Sequence, residues 1–149
     1  MTAEDVVASE DAEVPEDMGA SEGVVAFEDA MTAEELAAWC LGLNGTSSDV
    51  PFPRSPGLTV FRVGGRIFAF CSLEERPLKI ALKCDPEEAV RLREAHPAIV
   101  PGWHLNKRHW NTVTVGGLPA RMVRELVEDS YDLVVAGLPK AERLRLDRP

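Results

Sequence analysis

Two runs rich in β-branched and aromatic residues, Thr59-Val60-Phe61-Arg62-Val63 and Arg66-Ile67-Phe68-Ala69-Phe70-Cys71, meet across Gly64-Gly65. Glycine takes positive φ without steric cost, so a two-residue glycine loop between such runs is a strong hairpin signal. An antiparallel pair therefore constrains everything the chain can build around it. With strict alternation, Phe61 and Val63 share a face with Phe68 and Phe70, which the pattern predicts to be the core side. Val60, Arg62, Ile67 and Ala69 are left on the other.

Leu78-Lys79-Ile80-Ala81-Leu82-Lys83 alternates as cleanly. Leu78, Ile80 and Leu82 are expected inside, with Lys79, Ala81 and Lys83 facing water. Ile99-Val100-Pro101 reads as extended, and Asn111-Thr112-Val113-Thr114-Val115 as a strand ended by Gly116-Gly117. Between and around these lie three helical patterns. Thr32 and Glu35 form a capping box ahead of Leu36, Trp39, Cys40 and Leu43, and Asn44-Gly45 ends that helix. Asp85-Pro86 opens a second helix carrying Ala89, Leu92 and Ala95. The third starts at Pro119, lines Met122, Val123, Leu126, Val127, Tyr131 and Val134 along one side, and is capped by Gly137. Residues 46–57, rich in Pro, Gly and Ser, read as a connector. The order α-β-β-β-α-β-β-α predicts an α+β fold of two layers, an antiparallel sheet with helices on one face.

The net charge of −9 is unevenly spread over the 149 residues. Residues 1–30 hold ten acids and no Lys or Arg, which predicts a disordered acidic tail ahead of a single domain at 31–149. From Arg54 onward, sixteen Lys and Arg face twelve Asp and Glu, so the domain is mildly basic. No apolar run approaches the roughly 18 residues needed to span a bilayer. The acidic N-terminus lacks a basic-then-apolar signal pattern, and the cytoplasm is the expected compartment. Cys40, Cys71 and Cys84 are odd in number and far apart, which points to reduced thiols rather than a disulfide or a metal motif.

The segment Gly102-Trp103-His104-Leu105-Asn106-Lys107-Arg108-His109-Trp110 interleaves cations with aromatic rings. Lys107 and Arg108 suit phosphate oxygens, and an exposed Trp103 suits stacking on a base. Arg62, Lys79 and Lys83, on the outer face of their strands, extend the same basic surface. His104 and His109 lack the further ligands a metal needs, and no nucleophile elbow, phosphate loop or zinc helix occurs. No catalytic residue, metal or cofactor is therefore expected. Tyr131 falls on the apolar side of its helix and reads as core, its hydroxyl bonded to a neighbour.

The blocks Phe61-Arg62-Val63-Gly64-Gly65-Arg66-Ile67-Phe68-Ala69, Leu82-Lys83-Cys84-Asp85-Pro86-Glu87, the run from Val100-Pro101-Gly102-Trp103 through Trp110-Asn111-Thr112-Val113, and Ser130-Tyr131-Asp132-Leu133-Val134-Val135 occur in this order. In that order they resemble the MmcQ/YjbR family. Two positions depart from its usual pattern: Leu43-Asn44-Gly45 stands where Leu-Pro-Gly is typical, and Arg66 where lysine is common. The resemblance implies a two-layer α/β fold similar to secretion chaperones, with a double-wing arrangement associated with DNA. The expectation is a protein that contacts DNA phosphates through Arg62, Lys79, Lys83, Lys107 and Arg108, with Trp103 stacking on a base, and with little sequence preference. The alternative is a chaperone-like module that docks a protein partner, without enzymatic activity.

Overall fold

The computed structural model describes residues 26–55, 57–102 and 105–146. The expected acidic tail up to position 25, together with Trp103 and His104, lies outside the described residues. Phe27 is tied down, its N–H donating to the Gly116 carbonyl at 2.9 Å.

Helix α1 (Ala33–Gly42) begins where the capping box places it. The Glu35 N–H donates to Thr32 Oγ1 at 3.1 Å and the Thr32 N–H to Glu35 Oε1 at 2.9 Å. Strand β1 (Thr46–Asp49) follows, then the hairpin of β2 (Leu58–Val63) and β3 (Arg66–Ser72), with Gly64 and Gly65 at φ 59° and 79°. Next come β4 (Lys79–Lys83), α2 (Pro86–Ala95), β5 (Ile99–Pro101) and β6 (Trp110–Thr114). A 3₁₀ turn at Val115–Gly117 leads to α3 (Ala120–Ala136) and α4 (Lys140–Leu146). The six strands form one antiparallel sheet in the order β1-β2-β3-β4-β6-β5.

The fold is α+β, as expected, with one strand and one helix added to the sequence reading. Strand β1 lies in the segment read as a connector. Thr-Ser-Ser-Asp has little strand propensity, and its pairing with β2 supplies what its side chains do not. Helix α4 is separated from α3 at Gly137, whose N–H caps the Val134 carbonyl.

All four helices among the described residues send apolar side chains to the same face of the sheet. There Leu36 and Cys40 of α1, and Val123, Val127 and Val134 of α3, pack on Phe61, Phe68, Ile80 and Val113; Leu92 of α2 and Leu146 of α4 close the margins. Tyr131 lies edge-on to Phe68 with ring centroids 5.6 Å apart, and its hydroxyl donates to the Asn44 carbonyl at 2.5 Å.

The alternation expected in the hairpin breaks at Phe68. Phe61 pairs with Ala69 and Arg62 with Ile67, so Phe68 is an extra residue bulged out of the ladder. Phe68 and Ala69 consequently both face the helices, and Phe70 is carried to the opposite side. The sequence reading had Phe70 and Ala69 the other way round. Ser130 of α3 resolves the polar cost of the irregularity. Its hydroxyl donates to the Phe68 carbonyl at 2.6 Å and accepts from the Lys83 N–H at 2.8 Å, just beyond the last β3–β4 pair.

The second face is not open to water either, which corrects the expectation for β4. Phe52, Leu58, Val60, Ile67, Phe70, Ala81 and Trp110 form a separate buried cluster there, with Leu105 packed against it. Trp110 meets Phe70 edge-on at 5.4 Å, and Phe52 stacks on Phe70 at 6.3 Å. Ala81 is wholly buried and Lys79 is only 5% exposed.

Candidate functional site

Residues 105–110, after β5, form a tight turn. Asn106 organises it: its carbonyl accepts from the N–H groups of His109 (3.0 Å) and Trp110 (2.9 Å), and its Oδ1 accepts from the Arg108 N–H (3.0 Å). Trp110 anchors the far side, buried on the loop-covered cluster, while Gly102 donates its N–H to the Trp110 carbonyl at 2.9 Å. A Cβ on Gly102 would lie 2.9 Å from the Trp110 Cβ, so glycine is required by this close approach. Lys107 and Arg108 stand exposed at the tip.

The turn is fastened to its neighbours. The Cys84 N–H donates to the His109 carbonyl at 2.6 Å, and Arg93 Nη1 donates to the Lys107 carbonyl at 3.2 Å. Lys83, half-buried at the end of β4, is in register with Trp110. The fold thus brings Lys83, Lys107 and Arg108 to one end of the sheet, and adds Arg93. Sequence reasoning missed Arg93 because it lies on a different element, 14 residues from Lys107, and only the packing of α2 joins them.

The other expected cations are not part of this group. Lys79 sits at the opposite end of β4, opposite Thr114, and is buried. Arg62 shares the face and the sheet end with Lys83, but its Nε donates to Asp49 Oδ1 at 2.9 Å and its Nη1 to the Gly65 carbonyl at 3.2 Å. Its charge is offset by β1. Trp103, expected to stack on a base, lies outside the described residues.

Burial pushes the Cys40 and Cys71 thiols up to about 12. Cys84 is raised to about 11, by burial first and then by the charges of Glu88, Asp85 and Asp129. Thiols held protonated in this way are poor nucleophiles. Among the described residues, no group of three or more His, Cys, Asp or Glu is placed to hold a metal ion, and no helix is long and apolar enough to cross a membrane.

The model of the YjbR family matches residues 41–133 of this chain. The uncharacterised protein YjbR of Escherichia coli strain K12 is 35% identical over 114 residues, covering 76% of this chain and 95% of its own. YyaQ of Bacillus subtilis strain 168, also uncharacterised, is 27% identical over 116 residues, covering 69% of this chain and 98% of its own. Among solved structures, the crystal structure of Deinococcus radiodurans DR2400, a DUF419 domain, superposes with a TM-score of 0.73 at 39% identity. That superposition covers 84% of this chain and 94% of DR2400.

Proposed function

The chain belongs to the YjbR family, and on that premise we propose that it binds duplex DNA weakly, through phosphates, with little sequence preference. The observation that carries this reading is the Asn106-organised turn, which holds Lys107 and Arg108 exposed beside Lys83 and Arg93. Cations held on a hydrogen-bonded turn lose less freedom on meeting a phosphate than cations on a floppy loop. Phosphate contacts fix position without reading bases, and each phosphate neutralised adds about 0.9 to the slope of log affinity against log salt. Three or four such contacts suit non-specific binding, with Kd of roughly 10⁻⁴–10⁻⁶ M at physiological salt. Lys79 and Arg62 have no part in the proposed surface. The reading involves no catalytic step and places the chain in the cytoplasm, where its thiols remain reduced.

Fluorescence anisotropy of a labelled duplex at two or more salt concentrations tests it. The double substitution Lys107→Ala/Arg108→Ala is expected to weaken binding and to flatten the salt slope by about 2. Unchanged affinity in that variant removes the turn from the site. No binding by the intact protein at low salt overturns the DNA reading and leaves docking of a protein partner to be pursued.

A further inference from the structure

The helix-covered side of the sheet holds a cavity of about 180 Å³ between α2, α3, β4 and β6, away from the loop-covered face. Its wall includes Leu92, Val113, Met122 and Leu126, and three carboxylates, Glu88, Glu125 and Asp129, join them. Asn111 completes it from the floor. Asn111 pairs with Leu82 across the ladder, so its side chain leaves the sheet on the helix side. It is 3% exposed. Its amide N–H donates to the Ala89 carbonyl at 3.4 Å, while its Oδ1 has no hydrogen-bond partner. A buried acceptor left without a donor is rare in folded proteins and asks for an explanation, an ordered water or a ligand among them.

The electrostatics point to the charge of that donor. Burial, then the charges of Asp132, Glu125 and Glu88, raise the Asp129 carboxyl above the ordinary range. Beyond burial, every charge that raises it is a carboxylate's. Glu88 is bonded by Arg91 and Glu125 lies 3.7 Å from Arg121, both arginines reaching in from exposed positions on the same helices. Lys83 also lines the cavity, but its side chain leaves β4 on the face opposite Leu82. Cavities of this order admit a group about the size of benzene, so an alkyl body of about four or five carbons fits.

We propose that this cavity binds a small primary ammonium with a short alkyl body. Its N–H groups donate to Asn111 Oδ1 and to the Asp129 carboxylate, and its carbons pack on Leu92, Met122 and Leu126. The site is independent of the DNA surface and stands or falls separately from it.

NMR titration of the full-length protein with n-butylammonium, 1-butanol and butyrate tests the proposal. The expected result is a saturable shift of the Asn111 side-chain amide with n-butylammonium, at roughly tenfold higher affinity than 1-butanol, with butyrate weakest. The pair Asp129→Asn and Glu125→Gln, both exposed positions on α3, is expected to erase the preference for ammonium, bringing its affinity down to that of the alcohol. Equal affinity for ammonium and alcohol, no saturable shift at Asn111, or a preference that survives both substitutions would each overturn it.

Discussion

On one face of the sheet, helices set Leu36, Val123 and Val127 over Phe61, Phe68 and Ile80. On the other, the cover comes from Phe52 and Leu105, outside any helix or strand, and from Trp110 at the start of β6. Both faces end up dry, but the means differ in what they reveal beforehand. A helix announces its buried face by a repeat of 3.6 residues, so the partner face of the sheet can be inferred. A covering loop has no period. The strand beneath it reads as half-exposed until the loop is seen to lie across it. Lys79 and Ala81 show the consequence: their alternation with Ile80 is real, yet their side of the sheet is buried.

The sharpest test of the comparison is Trp110→Ala set beside Ile80→Ala, each measured by urea unfolding. Truncating the indole is expected to cost about 3–5 kcal/mol, and truncating the isoleucine on the helix face about 2–5 kcal/mol. If Trp110→Ala costs under about 1 kcal/mol while Ile80→Ala keeps its full effect, the loop-covered cluster is a dispensable satellite and the two faces are not equivalent. A smaller change is expected from Ser130→Ala, about 1–3 kcal/mol. It removes only one oxygen, but it strands the Phe68 carbonyl and the Lys83 N–H that the hydroxyl joins. A neutral result would mean that water replaces the hydroxyl and that the bulge needs no partner from α3.

The least effect belongs to Asp129→Asn, and its sign is opposite. In the folded chain Asp129 feels Glu125 and Asp132 on its own helix and Glu88 on α2, with Cys84 across the cavity, while the Lys83 side chain leaves β4 on the other face. Its carboxyl binds protons more readily folded than unfolded, so the stability tied to it is present at low pH and falls as pH rises through its titration. Asp129→Asn is expected to raise Tm slightly at neutral pH, with the gain vanishing in acid. A loss of stability at neutral pH would place a counter-cation beside Asp129 and undo the account of the cavity as a negative site.

The hairpin was legible because Gly64 and Gly65 adopt the positive φ that their spacing requires. The starts of α1 and α2 were legible because Thr32, Glu35 and Asp85 act on backbone N–H groups within one turn. Such contacts are local, and local chemistry survives in the sequence. The bulge at Phe68 was not legible, since nothing in Arg66-Ile67-Phe68-Ala69 distinguishes a regular strand from one carrying an extra residue. Its stabilising partner, Ser130, lies 62 residues away. The candidate site divides in the same way. Lys107 and Arg108 could be picked out as cations with no apolar role, whereas the part Asn106 plays in holding them shows only in the folded turn. The pairing of Arg62 with Asp49 depended on a strand that propensity does not indicate.

The sequence by itself determined an antiparallel α+β sheet, the onset of α1, α2 and α3, and a basic segment between two strands, because each of these rests on neighbours in the chain. Tertiary structure decided which side of β3 carries Phe70, that Lys79 is buried, and that Asn111 and Asp129 line one cavity. Those outcomes depend on loop cover, a register shift and packing between distant segments, and the periodicity of a single strand or helix encodes none of them.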